Sequence, residues 1–221
     1  MEMLQAGQTA ELPNLLNQHV SDTALLEMAK SSFIARISLC SGSSNLVTDG
    51  KMGVGKFAFI RGKDDFVDLG ETFSCIPLTY RFAAMRFGTD TVQAVYDPAS
   101  EEFKAIQAES EGPDSGCAYG PQFLLWVPQL KEFATYLFGS KSARPESRRV
   151  NLLLNKGATF KAKLVSFSGK KWHVPQVMPC SIALELPALE IATKTADLFN
   201  KAEAAAGVEE APPSDTPDRP R

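Results

Sequence analysis

Several features that would assign the sequence to a class at once are missing from its 221 residues. No apolar run is long enough to span a membrane, so we expect no membrane helix. The first twenty residues do not combine a basic start with an apolar block, which argues against a secretory signal. We therefore expect a cytoplasmic protein, or one inside the host cell if it is viral.

Cysteine and histidine are scarce. The four cysteines are far apart and form no Cys-x-x-Cys pair, so the zinc-ribbon pattern is absent and we expect them to pack as small apolar residues. His19 and His173 belong to no recognisable triad, and there is no Gly-x-Ser-x-Gly sequence. Asp64, Asp65 and Asp68 have the composition of a hairpin turn rather than a magnesium site. We expect no cofactor, no metal and no enzymatic activity.

Residues 50–56 match the first seven positions of the phosphate-binding P-loop, Gly-x-x-x-x-Gly-Lys. The next position should be Ser or Thr, which would hold magnesium, but it is Phe57. The segment also leads into a strand pattern, whereas a P-loop opens a helix whose N–H groups face the phosphate. We therefore interpret it as a glycine-rich connection between strands.

The segment 139–174 carries a strong positive charge. It holds nine Lys or Arg side chains against one acid, Glu146, in a chain with a formal net charge of −3. A field of this strength predicts a polyanionic partner, most commonly nucleic acid. The alternative is a solvated basic face on an otherwise acidic protein. A second segment, 90–114, has the opposite bias, with seven acids and one lysine.

Aromatic side chains are interleaved with these and other cations. Side chains alternate along a strand, so Phe57, Phe59 and Arg61 are predicted to share one face. Tyr80-Arg81-Phe82 and Lys170-Lys171-Trp172 also combine rings with charge. Bases of a single strand stack on such rings while Lys and Arg contact the phosphates.

Periodicity and turn signals predict a domain at 21–206, preceded by a loosely ordered arm at 1–20 and followed by a disordered, acidic, Pro-rich tail at 207–221. Pro77 is expected to exclude a central, fully paired strand position. The predicted elements are a strand at 32–39, a hairpin at 56–72, a helix at 99–109, a strand at 122–127, a helix at 129–138, a basic loop at 140–149, strands at 158–168 and 172–184, and a helix at 187–206.

This order of elements predicts a mainly β (α+β) fold, a partly open OB-like β-barrel with interposed helices and a C-terminal helix. With its aromatic strand, its basic segment and its acidic tail, the chain resembles the OB-fold single-stranded DNA-binding proteins of bacteriophages. The resemblance implies that the tail recruits replication proteins and competes with DNA. This tail ends Asp218-Arg219-Pro220-Arg221, without the acidic, apolar tip usual in that family.

The resulting prediction is sequence-tolerant binding of single-stranded DNA, or RNA, that protects or organises strands in replication or recombination. The predicted nucleic-acid-binding residues are Phe57, Phe59, Arg61, Lys63, Tyr80, Arg81, Lys141, Arg144, Arg148, Arg149, Lys161, Lys163, Lys170, Lys171 and Trp172. We expect these cations to converge on one furrow lined with accessible rings. The alternative is a viral structural or assembly protein, a homo-oligomer that joins its basic face to the acidic segment 90–114.

Overall fold

The computed structural model describes residues 34–62, 64–87, 92–112 and 116–201. The expected N-terminal arm, the acidic tail and Lys63 lie outside these residues. The described strands are β1 (Ala35–Leu39), β2 (Phe57–Ile60), β3 (Phe66–Gly70), β4 (Thr72–Phe87), β5 (Val92–Val95), β6 (Cys117–Val127), β7 (Glu132–Leu137), β8 (Ala158–Phe167) and β9 (Lys170–Pro179). The described helices are α1 (Asn45–Thr48), α2 (Glu101–Ser110), α3 (Arg144–Leu152) and α4 (Leu189–Lys201).

The strands form one sheet in the order β3-β2-β1-β7-β6-β4-β8-β9, and β5 pairs with β4 beside this path. The β1–β7 pair is parallel, and the other pairs are antiparallel. Because β3 and β9 end the order without pairing to each other, the sheet is open. The fold is therefore mostly β with a few helices. No helix in the described ranges combines the length and apolarity needed to cross a bilayer.

Strand β4 runs for 16 residues. Its first residues pair with β8 and the later ones with β6, so it joins the β8–β9 pair to the other strands. Pro77, expected to exclude a central, fully paired strand position, lies inside the central strand β4 at an irregular position, where the pairing with β6 shifts between Pro77 and Thr79. A bulge tolerates proline, which cannot donate to the ladder. It also shifts the alternation by one residue. As a result Phe73 and Tyr80, seven positions apart, lie on the same face of the sheet.

The sheet buries side chains on both faces. On the first face, Phe123, Phe160 and Val177 belong to the largest cluster of buried residues, and α3 covers it through Val150. On the second face, Ile76, Leu124 and Trp126 pack against α4 through Phe199. We use these names, first face and second face, below.

Residues 129–138, predicted as a helix, instead form a turn followed by β7, so that prediction was wrong. Leu130 donates its N–H to the carbonyl of Val127 at 3.1 Å, and Lys131 adopts a φ of 55° in this turn. Strand β7 lies between β1 and β6 and is covered on both faces, so all four residues from Phe133 to Tyr136 are buried. A strand buried on both faces gives a continuous apolar run, which fits a short helix equally well.

The predicted basic loop at 140–149 was also wrong in its second half, because α3 begins at Arg144. Pro145 lies in the first turn, where its missing N–H has no cost. Ala143, Ser147 and Val150 are buried at helical spacing, while Arg148 and Arg149 between them are exposed.

The other predicted elements are present with shifted ends. The hairpin at 56–72 is the antiparallel pair β2–β3, and the strand at 122–127 is the end of the longer β6. The helices at 99–109 and 187–206 correspond to α2 and α4. Cys40 and Cys75 are buried in apolar clusters as expected, and burial raises the pKa of the Cys75 thiol.

Candidate nucleic-acid interface

The strand β2 does not offer the accessible rings that we expected. Phe57 and Phe59 are both 0% exposed, so the expectation that bases stack on them was wrong. The ring of Phe57 meets that of Phe73 edge-on, with centroids 4.9 Å apart. The opposite side of β2 is covered as well, because Met52 of the glycine-rich connection packs on Ala58. Burial on both sides leaves β2 no face for a ligand.

That glycine-rich connection is not a phosphate-binding loop in this structure. It leads into strand β2, as expected, and not into a helix. Lys56 Nζ, at the lysine position of the P-loop pattern, lies 2.6 Å from Asp68 Oδ2, and this hydrogen bond raises the pKa of Lys56. Lys51 is held by Asp64 at 3.0 Å in the same way. Both lysines are therefore engaged within the chain.

Arg61 is also engaged. Its guanidinium donates to both carboxylate oxygens of Glu132, at 2.8 and 2.6 Å, and to Asp65 at 3.1 Å. These hydrogen bonds, that of Glu132 foremost, raise the pKa of Arg61. A bidentate pair of this kind fixes the side chain. Arg61 thus joins the end of β2 to β7. Because its guanidinium donors are bonded to carboxylates, they are not available for the expected phosphate contact.

Arg81 lies between two rings on the second face. Its guanidinium carbon is 3.5 Å from the ring centre of Tyr96 and 4.1 Å from that of Phe199. It donates to Gln122 Oε1 at 3.0 Å and to the carbonyl of Phe199. These contacts attach α4 to the sheet, so Arg81 serves packing in this structure rather than a surface contact. Tyr80, its neighbour, lies on the first face and is 42% exposed.

The cations at the start of α3 face internal acceptors. Lys141 Nζ and Arg144 Nη1 approach the two carboxylate oxygens of Glu111, at 2.7 and 3.2 Å. These contacts, Lys141 first, lower the pKa of Glu111. Arg144 also donates to the hydroxyl of Tyr119 at 2.8 Å, with its guanidinium 3.7 Å from that ring centre. Two cations of the basic segment are therefore paired with one acid of the acidic segment within the same chain.

Further along α3 the arginines differ from each other. Arg149 lies 3.5 Å from Glu146 Oε2, which also accepts a hydrogen bond from the backbone N–H of Val177. Arg148 is exposed and has no hydrogen bond or ion pair with another described residue. Of the four predicted phosphate contacts in 141–149, Arg148 is the one whose charge is unpaired in the described part of the chain.

The β8–β9 ribbon differs from α3 because its lysines make no ion pair with any described residue. The turn between its strands consists of Ser168 and Gly169, both at positive φ, 49° and 78°. The ladder from β8 to β4 ends at Lys161, and beyond that point the ribbon is two-stranded. Directly opposed residues share a face, which places five side chains together on the second face. This ring-and-lysine face consists of Lys161, Lys163, Phe167, Lys170 and Trp172.

All five side chains of the ring-and-lysine face are exposed, Phe167 at 74% and Trp172 at 38%. Its three lysines make no ion pair with any described residue. Lys171 lies on the opposite side of the ribbon, as does His173, whose Nδ1 is buried without a hydrogen-bond partner in the described part. The expected separation of Lys161 and Lys163 from Phe160 is confirmed, since Phe160 is buried in the first-face core.

The predicted cations do not converge on one furrow. The pairing of Thr72 with Lys161 and of Phe73 with Phe160 places the ring-and-lysine face on the second face. Helix α3, with Arg148, covers the first face. The expectation of a single furrow was wrong because α3 packs on the first face, whereas strand alternation directs Lys161 and Lys163 to the second.

Two exposed rings were missed among the predicted site residues, Phe82 and Phe167. Phe82 is 43% exposed and lies two positions after Tyr80 on the same strand. Phe167 is the last residue before the ribbon turn. Each follows a predicted site residue at an even spacing, Tyr80 and Lys163 respectively, and that spacing was the available signal.

The comparisons with known proteins give no relative. No protein-family model matches the chain, and neither the curated proteins nor the solved structures contain a match. In the described residues no three His, Cys, Asp or Glu side chains are grouped so as to hold a metal ion.

Proposed function

We propose that this chain binds single-stranded nucleic acid, with little dependence on base sequence, through the ring-and-lysine face of the β8–β9 ribbon. The observation that carries the proposal is that two exposed rings and three lysines, none of them ion-paired with a described residue, share one side of the β8–β9 ribbon. Lysines supply phosphate contacts that do not read sequence, and every base has a face that can stack on a ring.

The arrangement favours a single strand over a duplex. The rings of Phe167 and Trp172 lie among the lysines and not apart from them, so a ligand must bring phosphates and unstacked bases to the same surface. Bases within a duplex are already stacked on each other and offer only their edges in the grooves. Single-stranded DNA, or RNA, meets both requirements.

The wider role proposed for such binding is protection or organisation of single strands in replication or recombination, without enzymatic activity. An OB-like barrel is the fold we propose for it, and an open, mostly β sheet is compatible with that assignment. Recruitment of replication proteins by the tail 207–221 is part of the same proposal, and those residues lie outside the described ranges.

Self-association of the basic face with the acidic segment 90–114 is the weaker candidate. Glu111 of that segment already binds Lys141 and Arg144 of the same chain. An intermolecular contact through Glu111 would have to break these pairs before forming its own.

Trp172 makes the proposal directly testable by fluorescence. We expect an oligonucleotide of single-stranded DNA to quench it saturably at low salt, with oligo(dT), oligo(dA) and mixed sequences differing little. The duplex of the same length should bind more weakly. A Trp172→Phe variant, which retains a ring, should still bind in a gel shift but lose the quenching, since the other tryptophan, Trp126, is buried.

Anionic lipid vesicles are the necessary comparison, because exposed rings among lysines also suit a charged membrane surface. Quenching by vesicles without any binding of single strands would contradict the proposal. Equal affinity for single strand and duplex would contradict the role assigned to the rings.

A further inference from the structure

A cleft lies on the first face, between β4, β6 and α3. Its floor is formed by the rings of Tyr80 and Phe82 together with Pro121 and Phe123. Tyr80 stacks on Phe123, with centroids 5.4 Å apart and an interplanar angle of 30°, so its outer side is held toward the solvent. The cleft has a volume of about 300 Å³, at the lower end of the range for small-molecule sites. The rings of Tyr80 and Phe82 are inclined at 72° to each other, with centroids 6.4 Å apart, so the floor offers one ring face at Tyr80 and a second ring standing beside it.

The wall of the cleft is one stripe of α3. Arg144, Ser147, Arg148 and Asn151 line it, at helical spacings of three and four residues. Arg144 is committed to Glu111 and Tyr119, and Ser147 donates its hydroxyl to the carbonyl of Arg144 at 2.6 Å. Arg148 and the side-chain amide of Asn151 are exposed and have no partner among the described residues. An unpaired guanidinium therefore stands beside the apolar floor.

The carboxylates that contact the cations flanking Arg148 in sequence are bonded to those cations. Glu111, on the loop after α2, is shared by Lys141 and Arg144. Glu146, on α3 itself, contacts Arg149 and accepts from the backbone of Val177. Within the described ranges, these two carboxylates are engaged by other cations, and neither is bonded to Arg148. Arginine is the side chain best suited to phosphate, which it binds through two parallel hydrogen bonds.

We propose that this cleft binds a nucleoside monophosphate, with its base stacked on the ring of Tyr80 and flanked by that of Phe82, and its phosphate on Arg148. The Asn151 amide, which both donates and accepts, is placed to contact the sugar or the base edge. The site is separate from the ring-and-lysine face, since strand register puts Tyr80 and Lys161 on opposite faces. It therefore adds a second binding activity and does not depend on the ribbon.

The first test uses ligand pieces on the full chain. By saturation-transfer NMR and calorimetry, adenosine 5′-monophosphate should bind saturably, while adenosine and ribose 5-phosphate should each bind at least about tenfold more weakly, since each lacks one of the two contacts. No saturable binding of the monophosphate at millimolar concentration would overturn the proposal. Ribose 5-phosphate binding as tightly as the monophosphate would also overturn it, because the rings would then have no role.

A pair of neighbouring arginines provides the matched variants. Arg148→Gln should weaken binding of the monophosphate at least about tenfold, while Arg149→Gln, which removes the same charge from the outer side of the same helix, should leave it unchanged. Equal losses would show attraction to net charge only and would contradict the site. Phe82→Ser removes an exposed ring. It should weaken the binding of adenosine and of the monophosphate to the same extent and leave the binding of ribose 5-phosphate unchanged.

The monophosphate unit has two sources, a free nucleotide or the end of a strand. In a chain whose three ribbon lysines are changed to Gln, an oligonucleotide with a 5′-phosphate should displace the monophosphate if the site takes strand ends. If neither the phosphorylated nor the unphosphorylated oligonucleotide displaces it, the free nucleotide is the ligand. Both results support nucleotide binding in the cleft, and they show whether the monophosphate is a free nucleotide or the end of a strand. Displacement by both forms equally would overturn the role given to the phosphate on Arg148.

Discussion

Helix α3 and the β8–β9 ribbon belong to the same basic segment of sequence, yet their cations are in different states. Near α3, Lys141 and Arg144 share Glu111, and Arg149 lies beside Glu146. On the ribbon, Lys161, Lys163 and Lys170 have no ion-pair partner in the described part of the chain. The comparison shows that the count of cations along a chain does not give the number available to a ligand, because acids distant in sequence neutralise some of them.

Removing a ring from the ribbon should lower the affinity for single strands by the largest factor. Phe167→Ala and Trp172→Ala should each weaken binding to an oligonucleotide by about tenfold or more, because stacking of one base contributes ~1–3 kcal/mol. Phe167→Ala should change the free energy of unfolding by less than about 0.5 kcal/mol, as expected for an exposed side chain. Fluorescence anisotropy and urea unfolding measure the two quantities.

Phe87→Ala is the control for these ring variants. Phe87 is 43% exposed at the far end of β4, away from the ribbon. Its removal should leave the affinity unchanged. A similar loss in Phe87→Ala would mean that exposed rings act through solubility or stability and not through stacking on the ribbon.

The position of the ribbon should depend on Gly55. A Cβ added there would lie 2.7 Å from His173 Nε2 of β9, and the φ of Gly55 is +82°. Gly70 has nearly the same φ, +79°, but a Cβ there meets nothing within 4 Å. Gly70→Ala should therefore cost only the backbone strain, about 1–2 kcal/mol. Gly55→Ala should cost more and should also weaken strand binding, because His173 has to move.

Urea unfolding of the two variants provides the measurement. Equal losses in Gly55→Ala and Gly70→Ala would contradict the idea that the contact of Gly55 with His173 orients the ribbon.

Releasing the α3 cations should have the smallest effect. Glu111→Gln removes the shared acceptor of Lys141 and Arg144 and should raise strand affinity only a few-fold, since these cations lie on the first face. A gain as large as the loss caused by the ring variants would place the strand near α3 instead of on the ribbon. Gel shifts at two salt concentrations would distinguish these results.

The Glu111 carboxylate also predicts that the free energy of unfolding depends on pH. The pKa of Glu111 is lowered from its usual 4.5 in the folded chain by Lys141 and then Arg144. Its contribution to stability is therefore present above pH 4.5 and lost as the pH falls through the lower, folded value. Glu111→Gln should flatten this acid limb in an unfolding titration, and an unchanged limb would show that other carboxylates control it.

The mostly β character and the positions of most elements could be predicted from alternation and turn residues. Strand β7 could not, because residues buried on both faces lose the alternation that marks a strand. The second half of the predicted basic loop became α3 because tertiary burial of Val150 outweighed the loop-like composition. Both errors arise from long-range packing, which a local pattern does not contain.

The candidate site was predictable in part. The placement of Lys161 and Lys163 on one side of the ribbon could be predicted, because it requires only the alternation of side chains along a single strand. The burial of Phe57 depends on Phe73 and Tyr136, distant in sequence. The ion pairs of Arg61 and Arg144 join residues 71 and 33 positions away. Pairings at such distances are not encoded in a local motif.

The most direct test of the account is the salt dependence of single-strand binding in two triple variants. Lys161→Gln/Lys163→Gln/Lys170→Gln and Lys104→Gln/Lys141→Gln/Lys194→Gln remove equal charge, the second from lysines that are already paired. The first should reduce the slope of log affinity against log salt by about 2, as expected for three lost phosphate contacts, and the second should leave it nearly unchanged. Equal changes in the two variants would contradict the assignment of strand binding to the ribbon.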